Sequence, residues 1–226
     1  MEVEELLDTN FFVRKMLRWG KKNRRRFTWR ETSNPYAVLI AEILLQRTAA
    51  DQVESIYCKF IEEFPTVEML AGASIRDIAN VIKPLGLTYR APRLKDIAVE
   101  IIDKHHGLIP ESKDELLQLN GVGEYVSNAI LCFAFGKDTP IIDTNVSRVV
   151  QRVFGIDFGN EPHKKKEFWK IMSKMVPKGR ARDFNFSILD CAHMICKSTS
   201  PKCEKCPLVS LCRYHQFIQE EEGVMK

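Results

Sequence analysis

Seventeen residues, CKSTSPKCEKCPLVSLC, hold four of the chain's seven cysteines. The thiols are Cys196, Cys203, Cys206 and Cys212, in the pattern C-x6-C-x2-C-x5-C. Cysteine is too rare to gather this closely by accident. Clustered thiolates hold metal, and by spacing alone a structural zinc and an iron–sulfur cluster are both open. Cys58, Cys132 and Cys191 stand apart in apolar helical patterns, where a thiol packs as a small hydrophobe. An odd cysteine count argues against a closed disulfide framework and for a reducing cytoplasm.

Two carboxylates also sit where chemistry is expected. Asp143, in PIIDTNVSRVVQRVF, stands at the mouth of a helix. N-capping alone would account for it. Glu42, in YAVLIAEILLQRT, has apolar residues on both sides. A carboxyl group in such a setting is desolvated, which favours its protonated form and an acid role. A glutamate on the exposed edge of an amphipathic helix is the plainer alternative. Between the two acids lies LQLNGVGEYVSNAILCFAFG, residues 117–136. Its Asn120-Gly121-Val122-Gly123 turn lets backbone come close to another surface and turns helix N–H groups towards an anion. An ordinary helix-to-helix turn would carry the same glycines.

These groups need elements to hold them, and the elements read as helices. Asn34 and Pro35 open a helix, Ser74 and Asp77 form a near capping box, and Ser112 with Glu115 forms another. His105, His106 and Gly107 make a helix stop. The stretches 124–135, 144–153, 164–175 and 181–194 have helical apolar spacing. No sustained period-two alternation marks a strand, so the fold class is all-α, with roughly ten helices by this periodicity. No 18-residue apolar run exists, so no membrane span is expected. The acidic start, MEVEELLDTNFF, lacks the order of a signal peptide. Net charge is only +4, yet the basic residues cluster: Arg14 to Arg26, Lys164 to Lys166, and Lys197, Lys202, Lys205 and Arg213 around the cysteines. One cluster is a solvated face as readily as a phosphate site; three together point to a polyanion.

The order of hairpin, acid and cysteine loop resembles the helix-hairpin-helix (HhH-GPD) DNA glycosylase superfamily, the relatives of endonuclease III and MutY, from about Phe27 to Cys212. The resemblance implies a two-lobed fold. One lobe, 27–135, has six helices and contains the hairpin. The other, 1–26 plus 136–226, carries an iron–sulfur loop at 196–212. The resemblance further implies a DNA groove between the lobes, with Asp143 where they join. The resemblance also chooses a [4Fe-4S] cluster on Cys196, Cys203, Cys206 and Cys212, and gives Asp143 the role of the carboxylate beside the sugar. Bifunctional members carry a lysine at the seventh residue of the hairpin motif, in LPGVGRK. Here LNGVGEY puts Tyr125 there and Asn120 at the usual proline, so a monofunctional enzyme is implied, since tyrosine forms no imine.

Glu42 before LLQRT is similar to the MutY arrangement, but Arg47 replaces a second glutamine after Gln46. With the sequence ending at Lys226, the further MutY domain that reads oxidised guanine is expected to be absent. The segments VPKGRARDFNFSILD and PKCEKCPLVSLC are similar to archaeal mismatch glycosylases of the MIG type. They imply removal of thymine or uracil opposite guanine after base flipping. An adenine glycosylase and a non-catalytic DNA-binding module are the alternatives. Arg47 falls where the family fills the gap left by the flipped base, and Leu87 resembles the opposing wedge; a phosphate contact and a core leucine are the simpler readings. Asn120, Gly121, Val122, Gly123 and Lys205 are expected at the DNA backbone. The implied partner is mismatched double-stranded DNA, bound by a monomer in the cytoplasm at the nucleoid.

Overall fold

The structure, a computed structural model, describes residues 9–224. The acidic segment Met1–Asp8, read above against a signal peptide, lies outside them. Among the described residues there are twelve α-helices and no strand: α1 (Thr9–Asn23), α2 (Pro35–Leu45), α3 (Ala50–Glu63), α4 (Val67–Gly72), α5 (Ile75–Ile82), α6 (Ala91–His105), α7 (Lys113–Leu116), α8 (Glu124–Phe133), α9 (Thr144–Phe154), α10 (Lys166–Met175), α11 (Ala181–Met194) and α12 (Arg213–Val224). None is long and apolar enough to cross a membrane. The chain divides into two compact units, Arg26–Lys137 and the remainder.

In the unit Arg26–Lys137, α2 is the central helix. Asn34 caps it, its side chain accepting the Ala37 N–H at 3.1 Å, which contributes about 1 kcal/mol. Every residue from Tyr36 to Leu44 is buried, as expected of a helix apolar on all faces. It packs on α3 and α8, while α4 and α5 pack on α6. Ser74 caps α5 through the Asp77 N–H, as its sequence promised. Ser112 does not: it precedes α7 without a side-chain cap, and α7 is a single turn, too short to repay a capping box. Trp29 is core, stacked on Phe27 with ring centroids 4.5 Å apart and edge-on to Tyr57.

In the other unit, α9 turns Val146, Val149, Val150 and Val153 inward against Phe12, Met16, Phe168, Met172, Phe184 and Ile188. Leu208 of the cysteine loop, 1% exposed, joins the same core. α1 lies against α11 with Gly20 at the crossing. A Cβ at Gly20 would stand 1.8 Å from Ser187 Oγ and 3.3 Å from Ser187 Cα. Gly20→Ala must therefore push the helices apart and should cost about 1–3 kcal/mol, read as a lower midpoint in denaturant. Part of the basic N-terminal run is structural: Arg24 pairs with Asp183 and lies over the Phe186 ring, and Asp190 accepts the Arg25 N–H.

Candidate active site and cysteine loop

Asp143 is the N-cap of α9. Its Oδ1 accepts the Val146 N–H at 2.6 Å, and its Oδ2 accepts from Asn145 Nδ2 at 2.8 Å. Asn145 in turn accepts from Arg148 Nη1 at 3.0 Å, and Arg148 donates to the carbonyls of Cys196 and Ala192. One turn further, Arg152 donates to the carbonyls of Lys197 and Ser198, lies 3.6 Å from Cys196 Sγ, and covers the Tyr214 ring at 4.4 Å. The carboxylate and the cysteine loop are thus joined through one face of α9, the face opposite its valines. The approach to Asp143 is held as well. Asn185, fully buried on α11, accepts the Ile141 N–H and donates to the Thr139 carbonyl. Asn145, Arg148, Arg152 and Asn185 escaped the sequence reading. Only the two arginines left a trace, at helical spacing on the polar side of VSRVVQRV.

Glu42 is 4% exposed on α2, so the plainer alternative of an exposed helix edge fails for it. Tyr125, half-buried, is the second residue of α8, the helix that α2 packs against. α2 ends in a tight turn. Thr48 N–H donates to the Leu45 carbonyl at 3.2 Å, Gln46 has φ −57° and ψ 114°, and Arg47 has φ 58°. That is a type II turn with arginine where glycine is usual, a strained choice of the kind found at functional positions. Arg47 is exposed and Gln46 half-buried. Leu87, expected as a wedge, is 9% exposed, whereas Tyr89 two residues on is 69% exposed.

The hairpin has its glycine where the backbone requires one: Gly121 has φ 79°. Val122 is buried and donates its N–H to the Leu119 carbonyl, and Gly123 caps α8. The turn is also held from α6. Arg93 donates to the Gly121 carbonyl, and Glu100 accepts the Asn120 N–H at 2.9 Å. The bond from Lys104, then that N–H, hold the Glu100 carboxyl below its usual range. The Asn120 amide, expected at a phosphate, is thus engaged by Glu100, while its side chain is exposed.

Cys196, Cys203, Cys206 and Cys212 line one cavity, walled by Val149, Val153, Ile195 and Leu208. Among the described residues no three His, Cys, Asp or Glu side chains close tightly enough to hold a single metal ion. Cys191, expected as plain core, is fully buried and hydrogen-bonds Cys206. That bond draws the Cys206 thiol down to about 7, and the same bond with burial pushes Cys191 up. Burial raises Cys203 and Cys212. Cys58 is only half-buried, its sulfur 3.5 Å from Thr28 Oγ1. Lys197, Lys202 and Lys205 are exposed on the loop.

A glycine hairpin between helices, an aspartate capping the next long helix and a four-cysteine loop define a helix-hairpin-helix scaffold. Residues 40–177 match the HhH-GPD superfamily of base excision DNA repair proteins. The chain belongs to that superfamily. It is 39% identical to a thymine/uracil-DNA glycosylase of Methanothermobacter thermautotrophicus, over 91% of this chain and 93% of that one. A thymine/uracil-DNA glycosylase of Pyrobaculum aerophilum is 37% identical, over 93% and 94%. Among solved structures, a thermostable thymine-DNA glycosylase superposes with a TM-score of 0.89 at 38% identity, covering 92% of this chain and 97% of that one.

Proposed function

We propose that the chain is a monofunctional DNA glycosylase of base excision repair that removes thymine or uracil mispaired with guanine. The observation that carries this is likeness along nearly the full length of both partners to thymine/uracil-DNA glycosylases, with Tyr125 rather than lysine after the hairpin. The substrate is mismatched double-stranded DNA, met where the genome lies in the cytoplasm, and the chain acts as a monomer.

In this reading the target base leaves the stack and the C1′–N bond breaks, the base departing with the bonding pair. Asp143 stabilises the positive charge that develops on the sugar. Its hydrogen bonds from the Val146 N–H and from Asn145 hold it oriented for this. Water adds at C1′ and its proton ends on the departed base, which leaves neutral, with Glu42 as the buried acid that relays it. Tyr125 packs the pocket and forms no covalent link to the sugar. Arg47 fills the vacated stack, the turn of Leu87 and exposed Tyr89 lies on the opposing side, and Gln46 follows the strand. Gly121, Val122, Gly123 and the Asn120 side chain hold one phosphate run; Lys205 holds another.

The four loop cysteines fit a [4Fe-4S] cluster. They line the walls of one shared apolar cavity, a lining that suits a cluster held by four thiolates. When bound, the cluster supplies a rigid core for a loop with little apolar content of its own. Anaerobically purified protein should absorb near ~400 nm, and Cys203→Ser should lose that band together with most of its iron. Zinc in place of iron in the purified wild type, with no such band, would refute the cluster.

The deciding experiment is single-turnover base release from duplexes carrying G·T, G·U, G·A and 8-oxoguanine·A, with and without alkali. Release from G·T and G·U, visible only after alkali, is expected. Cutting of the adenine strand alone would make the chain an adenine glycosylase. Tight mismatch binding with no cutting would leave a binding module.

A further inference from the structure

We infer that Arg90 is a positioning residue for base extrusion, a single buried side chain that locks together the two turns carrying Arg47 and Leu87. The inference rests on the glycosylase reading above and adds to it a residue that contacts neither base nor sugar.

Arg90 is 3% exposed, a rare state for an arginine. Its guanidinium is spent on backbone. Nη1 donates to the Ile43 carbonyl at 3.0 Å and leans on that of Leu44 at 3.4 Å, and Nη2 donates to the Gln46 carbonyl. These carbonyls stand at the C-terminus of α2, where the helix dipole is negative and a cation is favoured. The Gln46 carbonyl also accepts from Thr48 Oγ1 at 3.3 Å. The next residue is Arg47, with its left-handed φ of 58°. Arginine has no intrinsic reason to hold that conformation, so something outside the turn must impose it. Arg90 is placed to do so.

The other end of Arg90 fixes the second turn. Its own N–H donates to the Leu87 carbonyl at 2.8 Å, closing the 3-10 turn Thr88–Arg90. Its guanidinium lies 5.5 Å from the ring of exposed Tyr89. One residue thereby sets the separation of the gap-filling Arg47 from the Leu87–Tyr89 turn. A wedge works only if its two sides are rigid against the stacked duplex, which resists unstacking.

The test places 2-aminopurine beside the target thymine of a G·T duplex, in the Asp143→Asn background so that the base is not cut. Its fluorescence rises as the neighbour leaves the stack. Arg90→Met keeps the stem and removes the hydrogen bonds; Arg90→Lys keeps the charge and one bond. Arg90→Met should lower the extrusion equilibrium about tenfold, with Arg90→Lys between it and the parent, while affinity for a duplex with an abasic analogue opposite guanine changes by less than about threefold. Extrusion by Arg90→Met equal to the parent's overturns the inference, as does an equal loss on the abasic duplex, which needs no extrusion. If Arg90→Met fails to fold, as judged by its helical circular dichroism, Arg90→Lys decides: a partial loss of extrusion confined to the mismatch supports the brace, and none refutes it. No rise with the parent itself on G·T or G·U would instead sink the glycosylase reading, and this inference with it.

Discussion

Asp143→Asn is expected to fold as the wild type does and to release thymine or uracil on the order of a thousandfold more slowly in single turnover, about 4 kcal/mol of lost transition-state stabilisation. The two halves of this expectation come from different atoms. As N-cap of α9, Asp143 needs only an oxygen to accept the Val146 N–H, and asparagine caps a helix as well as aspartate. The midpoint of unfolding should therefore move little. Catalysis needs the charge, because an oxocarbenium-like sugar is stabilised by a carboxylate and not by a neutral amide. Mismatch affinity should hold or rise, since a negative charge near the DNA backbone is removed. A variant that binds G·T duplex and still releases base at the wild-type rate would show that Asp143 is a cap and nothing more.

Tyr125→Lys should confer an activity the wild type lacks. The variant is expected to form a borohydride-trappable imine with the sugar and to nick the strand without alkali, about a hundredfold or more above the wild-type level. The site favours a reactive amine. Position 125 is the second residue of α8, where the positive end of the helix dipole disfavours an ammonium ion and so lowers the pKa of a lysine placed there. Half-burial of the side chain at 125 pushes in the same direction. More of the amine is then neutral and nucleophilic near pH 7. Trapping should scale with base release on G·T and G·U. A well-folded Tyr125→Lys protein that binds the mismatch but yields no trapped complex would place residue 125 away from the sugar.

Most of the helices were legible one residue at a time. Asn34-Pro35, Ser74 with Asp77, and the His106-Gly107 stop each mark a helix end by local chemistry, and the structure ends its helices there. Where local signals misled, a longer-range term prevailed. Ser112 and Glu115 have the spacing of a capping box, but the helix they would open is one turn long. Leu87 has the sequence place of an exposed wedge, yet packing leaves it 9% exposed and puts Tyr89 outside instead. Arg24 read as one more phosphate anchor, but its charge meets Asp183, far away in sequence.

What the sequence determined alone was the kinds of groups and their order: an all-helical chain, a glycine hairpin, an aspartate at a helix mouth, and four cysteines within seventeen residues. Those rest on spacing, propensity and capping, which act within a turn or two of the chain. What only the tertiary structure decided was how those groups are held. Arg90 reaches back to the end of α2, and Arg93 and Glu100 cross to the hairpin. Arg148 and Arg152 reach forward to the cysteine loop. The physical reason is that each of these bonds joins a long charged side chain to backbone many residues distant. A charge of that kind looks like any solvated surface residue until the fold removes its water and supplies the partner.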